Sequence, residues 1–83
     1  MNFKKILVTG GAGFIGSNFI KLILNRYKDI EIINLDKLTY AGNLDNLKDV
    51  ENNPRYKFIK GDICDEKIVE KIFSSKIDAV VGF

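Results

Sequence analysis

The sequence predicts an α/β protein built on a doubly wound parallel sheet, and three observations carry that prediction. Short apolar runs alternate with segments of helical periodicity, a glycine cluster joins the first run to the first helical segment, and turn residues separate the later ones. This alternation lays strands side by side, with helices crossing between them.

The first run, Ile6-Leu7-Val8, is continuous rather than alternating, as suits a parallel strand covered on both faces. The glycine-rich stretch Thr9-Gly10-Gly11-Ala12-Gly13-Phe14-Ile15-Gly16 follows at once. Beyond it Ile15, Phe19, Leu22 and Ile23 recur at helical spacing, with Ser17, Asn18, Lys21 and Arg26 on other faces. An amphipathic helix from about Gly13 to Tyr27 is expected. Glu31 to Asp36 reads as a second strand and Leu38 to Asn43 as a loop. Leu44, Leu47 and Val50 mark a short helix capped by Asn43, which Asn52-Asn53-Pro54 ends. Tyr56 to Lys60 reads as a third strand and Gly61-Asp62-Ile63 as its exit. A helix from about Asp65 to Ser75 then turns Ile68, Val69, Ile72 and Phe73 to one side, and Ile77 to Phe83 forms a fourth strand.

Right-handed crossovers leave few ways to arrange four parallel strands. The expected order is 3-2-1-4, with the first two helical segments on one face and the third on the other. That is a partial Rossmann fold, four strands of a six-stranded plan, with its fourth strand bare. Self-association through that strand or through an uncovered sheet face is expected.

At 83 residues the chain makes one domain at most and has a thin stability margin. Its content of 46% hydrophobic and 29% charged residues is that of a globular protein. The formal charge of +2 is spread among interleaved acids and bases, so no nucleic-acid partner is expected. With no histidine and a single cysteine, neither a zinc site nor an intramolecular disulfide is expected. The longest uncharged segment, Ile6 to Ile20, is too rich in glycine to cross a membrane, and no signal-peptide core is present. The simplest location is cytoplasmic.

The glycine stretch carries the chemistry. A pyrophosphate is held by backbone N–H groups at a helix N-terminus, where unpaired donors and the positive end of the helix dipole converge. Glycines serve there in three ways: a tight turn out of the strand, a close approach of phosphate to backbone, and close packing of helix on strand. Gly10 or Gly11, then Gly13 and Gly16, can fill these roles in order. Asp36 ends the second strand about 20 residues later, where a carboxylate accepts hydrogen bonds from the adenosine ribose and repels a 2′-phosphate. The dinucleotide expected is therefore NAD rather than NADP, although Lys37 stands beside Asp36. Asp62 follows the third strand at the same carboxyl edge, where with Ile63 it can frame an adenine ring or simply form a turn.

At this point the residues resemble a known family. TGGAGFIGSN is similar to the glycine motif of the extended short-chain dehydrogenase/reductase superfamily, spaced as Gly10, Gly13 and Gly16. Asp36-Lys37-Leu38-Thr39-Tyr40-Ala41-Gly42-Asn43-Leu44, with Asn53-Pro54-Arg55-Tyr56 and Gly61-Asp62-Ile63-Cys64-Asp65, resembles the dTDP-glucose 4,6-dehydratases in particular. The resemblance implies Phe14 and Ile15 along the pyrophosphate, Asp36, Lys37, Leu38 and Thr39 around the ribose, and Asp62 with Ile63 at the adenine. It also implies a lyase that uses NAD to oxidise a sugar at C4, eliminates water across C5 and C6, and returns the hydride to C6.

The sequence departs from that family where a histidine would stand and Gly82 does. It also offers no counterpart to the family's catalytic Tyr-x-x-x-Lys pair, Asp-Glu couple or active-site Thr, so no catalytic residue is assigned. Tyr56 and Lys60 match that pair in letters. On a strand, however, they lie roughly 13 Å apart, against about 5–6 Å on a helix. Cys64 is expected to pack as a small apolar residue, Tyr40 to cover the nucleotide or stabilise its own loop, and Asp45, Asp49 and Glu51 to form a solvated face. The reading is a truncated NAD-binding domain over residues 1–83, inactive in dehydration by itself, whose partner is a dinucleotide or an adenine nucleotide. The alternatives are a non-catalytic nucleotide-binding or self-associating module, or part of another sugar-nucleotide epimerase or dehydratase.

Overall fold

The computed structural model describes residues 4–38 and 44–83. Strands β1 (Lys5–Thr9), β2 (Glu31–Asp36), β3 (Tyr56–Lys60) and β4 (Ala79–Gly82) form one parallel sheet in the order β3-β2-β1-β4. Helix α1 (Phe14–Arg26) crosses from β1 to β2, and α2 (Glu66–Phe73) from β3 to β4. The strand order and the placement of helices on both faces agree with expectation.

Alternation along the strands separates two layers of core. Ile6 and Val8 of β1 and Ile32 of β2 meet Ile20, Ile23 and Leu24 of α1, together with Leu47 and Val50. Leu7 and Leu35 point the other way and meet Ile72, with Ile33, Ile59, Ile68 and Ile77 around them. The continuous run Ile6-Leu7-Val8 is buried throughout because both faces of β1 are covered.

Several boundaries differ from the sequence reading. The segment expected as a short helix is a single 3₁₀ turn at Leu44–Leu47, and its expected cap Asn43 lies outside the described residues. α2 starts at Glu66 because Asp65 caps it from outside, its Oδ1 accepting from the N–H groups of Lys67 (3.0 Å) and Ile68 (3.3 Å), and it ends at Phe73 with Ser74 as its C-cap. β4 begins at Ala79, since Asp78 before it accepts from the N–H groups of Lys4 (2.8 Å) and Lys5 (3.0 Å) at the start of β1. Those two amides hold the Asp78 carboxyl below its ordinary range. Cys64 is exposed rather than packed, because it sits on the turn leaving β3. No helix among the described residues is long and apolar enough to cross a membrane.

Arg55, at the entry to β3, joins the far end of α1 to the sheet. Its Nη1 donates to the carbonyls of Tyr27 (2.6 Å) and Ile30 (3.0 Å), and its Nη2 to that of Leu24 (2.8 Å). The last carbonyls of a helix have no partner within it and carry the negative end of its dipole, so a forked cation suits them. Replacing Arg55 by Met should lower the unfolding free energy in urea by about 2 kcal/mol. Arg55→Lys should recover less than half of that loss, because an ammonium cannot span three carbonyls. An unchanged urea midpoint in Arg55→Met would contradict this account.

Candidate functional site

The carboxyl ends of β1, β2 and β3 converge on the glycine turn. Gly10 takes φ 71°, a left-handed conformation that favours glycine, and its N–H donates to the Leu35 carbonyl at 3.1 Å. Gly16 lies against the turn: a Cβ there would stand 2.7 Å from the Gly10 carbonyl oxygen and 2.8 Å from the Gly11 Cα. Only a glycine lets α1 approach β1 this closely. Gly11 is also confined, since its Cβ would stand 2.7 Å from Cδ1 of Ile20.

Gly13 forms the N-cap of α1. It supplies no side chain to its first-turn amides, and no acid stands in that turn. The N–H groups from Gly13 to Gly16 therefore have no acceptor inside the helix, and no side chain of the first turn offsets the dipole. Phe14 and Ile15, expected beside a pyrophosphate, are exposed at 76% and 71%. Such a helix start suits an anion.

Asp36 is brought to this turn, but not as an open carboxylate. It is only 2% exposed; its Oδ2 accepts from the Ala12 N–H and its Oδ1 from the Leu38 N–H, both at 2.9 Å. The second of these bonds stabilises Leu38 at φ 58°, a conformation that costs a branched residue about 1–2 kcal/mol. Thr39 and Tyr40 lie outside the described residues. Lys37, expected as a complication beside Asp36, instead pairs with Asp62 at 3.4 Å. Asp62 also accepts from the Cys64 N–H at 2.9 Å, and that bond first, then the Lys37 ammonium, holds its carboxyl below the ordinary range. Ile63 beside it is exposed. Gly10, Gly13, Phe14, Ile15, Gly16, Asp36, Lys37, Leu38, Asp62 and Ile63 thus all lie along the carboxyl edge of the sheet or at the start of α1.

Two residues that sequence reasoning missed complete the turn. Asn34 accepts from the Gly11 N–H at 3.1 Å, and Asn46 Nδ2 donates to the Ala12 carbonyl at 3.2 Å. A polar Asn inside the apolar run of β2 was the available signal for the first, because a buried amide needs partners. Tyr56 and Lys60, the pair matching Tyr-x-x-x-Lys, lie at opposite ends of β3. The Tyr56 hydroxyl accepts from Asn34, and burial pushes its pKa up. Asp45, Asp49 and Glu51 are exposed, as expected, and Asp49 pairs with Lys21 at 3.7 Å.

A parallel sheet in the order 3-2-1-4, with a glycine turn opening a helix and an acid ending the second strand, is the architecture of the Rossmann class. The profile of the GDP-mannose 4,6 dehydratase family matches residues 7–83, and the chain belongs to that family. It is 59% identical to the dTDP-glucose 4,6-dehydratase of Escherichia coli over 70 residues, covering 84% of this chain and 19% of the relative. The dTDP-glucose 4,6-dehydratase of Bacillus anthracis, solved in complex with NAD, superposes with a TM-score of 0.90 at 46% identity, covering 95% of this chain and 26% of that one. The Streptomyces venezuelae dTDP-glucose 4,6-dehydratase, also solved with NAD, gives a TM-score of 0.84 at 47% identity over 95% of this chain and 26% of its own. The chain thus spans about a fifth to a quarter of these relatives, within their N-terminal part.

The close approach of α1 to β1 can be tested by adding one methyl group. Gly16→Ala should destabilise the fold by about 1–3 kcal/mol in urea, since its neighbours are backbone. Gly82→Ala is the control: its Cβ would meet only the Thr9 hydroxyl, at 3.2 Å, and that side chain can give way. It should change stability by less than about 0.5 kcal/mol. Equal effects at the two sites would overturn the packing argument.

Proposed function

We propose that residues 1–83 form the NAD-binding unit of a dTDP-glucose 4,6-dehydratase. The observation that carries this is the pairing of an uncapped α1 N-terminus with Asp36 at the end of the adjoining strand. In this reading the N–H groups from Gly13 to Gly16 receive the pyrophosphate, with Gly10 shaping the turn and Phe14 and Ile15 flanking the phosphates. Asp36, Lys37, Leu38 and Thr39 surround the adenosine ribose, and Asp62 with Ile63 borders the adenine. Bound NAD supplies a hydride acceptor; the residues of this chain hold and orient it. The NAD-bound relatives and the similarity to dTDP-glucose enzymes support both the cofactor and the thymidine sugar nucleotide. A cytoplasmic location belongs to the same reading, and the exposed thiol of Cys64 suits a reducing compartment.

Choice of NAD over NADP rests on the charge of Asp36, which the Ala12 and Leu38 amides hold beside the turn, while Lys37 is drawn toward Asp62 in an exposed pair. Titration calorimetry on the purified chain should find NADP at least about tenfold weaker than NAD. Asp36→Ala should weaken NAD binding and narrow that gap. Equal affinities of the two dinucleotides for the wild-type chain would sink the assignment.

A specific surface favours association as well. Ala79 and Val81 of β4 pack toward α1, and the Phe83 ring beyond them lies 5.3 Å from that of Phe19 on α1, whereas Val80 on the opposite face is 54% exposed. We propose that a second copy of the 83-residue chain covers this surface. Light scattering at micromolar concentration should give a mass above the 9.4 kDa of one chain, and Val80→Lys should return it to that value. A wild-type monomer would refute the idea.

A further inference from the structure

We propose that Asn34 is a positioning residue for the dinucleotide turn, holding Gly11 inward so that the amides offered to a diphosphate begin at Gly13. This rests on the dinucleotide-binding reading above and assigns a role that neither the glycine motif nor Asp36 supplies.

Asn34 is fully buried in the middle of β2, on the face that packs toward α1. Its Oδ1 accepts from the Gly11 N–H at 3.1 Å, and its Nδ2 donates to the Tyr56 hydroxyl at 3.2 Å. A main-chain N–H can only donate, so the oxygen of Asn34 must face the turn and its nitrogen must face Tyr56. The Gly11 N–H thus sets which end of the amide faces the turn, and the Tyr56 hydroxyl, from the neighbouring strand, holds the amide plane by its second bond. Two residues along the same face, Asp36 takes the Ala12 N–H at 2.9 Å. Two β2 side chains therefore hold two successive amides of the turn.

The chemistry demands this residue type. An aliphatic side chain at position 34 would leave the Gly11 N–H buried against Ile20 without an acceptor. An aspartate would accept that bond but would bury a second carboxylate near Asp36 and lose the donor to Tyr56. Glycine at position 11 follows from the same clamp, because a Cβ there would collide with the Asn34 amide as well as with Ile20. Gly11 is thus a glycine of close approach to Asn34, not one of approach to the ligand.

The test uses the purified chain and two variants, Asn34→Val, which removes both bonds, and Tyr56→Phe, which leaves the acceptor but frees the amide to rotate. Amide hydrogen exchange by NMR reads the clamp without ligand, and calorimetry with NAD, ADP and adenosine reads its consequence. In Asn34→Val the Gly11 amide should exchange at least tenfold faster relative to the amides of Leu7 and Ile33. NAD and ADP should bind about tenfold more weakly, while adenosine, which lacks the diphosphate, stays within twofold. Tyr56→Phe should shift the same readouts in the same direction by about threefold.

Unchanged Gly11 exchange in Asn34→Val, or equal losses for ADP and adenosine, would overturn the proposal. If Asn34→Val does not fold, Tyr56→Phe decides alone: faster Gly11 exchange supports the clamp and unchanged exchange refutes it. If the wild-type chain binds neither NAD nor ADP, the cofactor reading fails, and Gly11 exchange still decides whether the clamp exists.

Discussion

The structure depends on how β2 holds the turn that leaves β1. A strand-to-helix turn rich in glycine has little conformational preference of its own, so its shape must be imposed from outside. Asn34 and Asp36 impose it by taking the N–H groups of Gly11 and Ala12, and Asn46 takes the Ala12 carbonyl from the other side. These bonds cross from one element to another, so the turn forms only when the β1–β2 ladder is in register. Register in turn follows from Ile6 and Val8 packing under α1 while Leu7 packs under Ile72.

The same arrangement separates holding from supporting. The carboxyl ends of the strands carry the uncapped helix start and the acids, whereas the amino ends carry the fasteners. Arg55 gathers the carbonyls after α1, and Asp78 gathers the first amides of β1. A cavity of about 560 Å³ also opens toward the amino ends, beneath α2, lined in part by Ile33, Lys57, Ile59, Ile68, Lys71 and Ser75. It has the volume of a ligand site but not the chemistry of this one. It lacks the glycine turn, the helix start and Asp36, and its lining mixes isoleucines with lysines and serines. In an open parallel sheet the ligand sits at the carboxyl ends, which places volume second to topology.

Much of this was legible in the sequence, and the reasons are physical. The continuous apolar run at Ile6-Leu7-Val8 and the helical spacing after Phe14 reflect burial, which a single sequence records directly. The glycine spacing records backbone approach, as the contact between Gly16 and the Gly10 carbonyl bears out. Hydrogen bonds between residues distant in sequence were not legible. Asn34 meets Gly11 and Tyr56, and Arg55 reaches Leu24 and Tyr27, only because the sheet brings them together. Asp36 was placed correctly at the edge, but its backbone bonds to Ala12 and Leu38 could not be read from spacing. The 3₁₀ turn at Leu44–Leu47 and the exposure of Cys64 were missed because three-residue spacing fits either helix type and a lone cysteine carries no pattern.

Most directly open to test is whether the dinucleotide sits at the carboxyl edge of the sheet rather than in the amino-end cavity. A ¹⁵N-resolved NMR titration of the chain with NAD measures this residue by residue. The account predicts that the largest amide shifts fall on Gly13 to Gly16, Lys37, Leu38 and Ile63. Shifts concentrated instead on Ile33, Lys57, Lys71 and Ser75 around the amino-end cavity would contradict it.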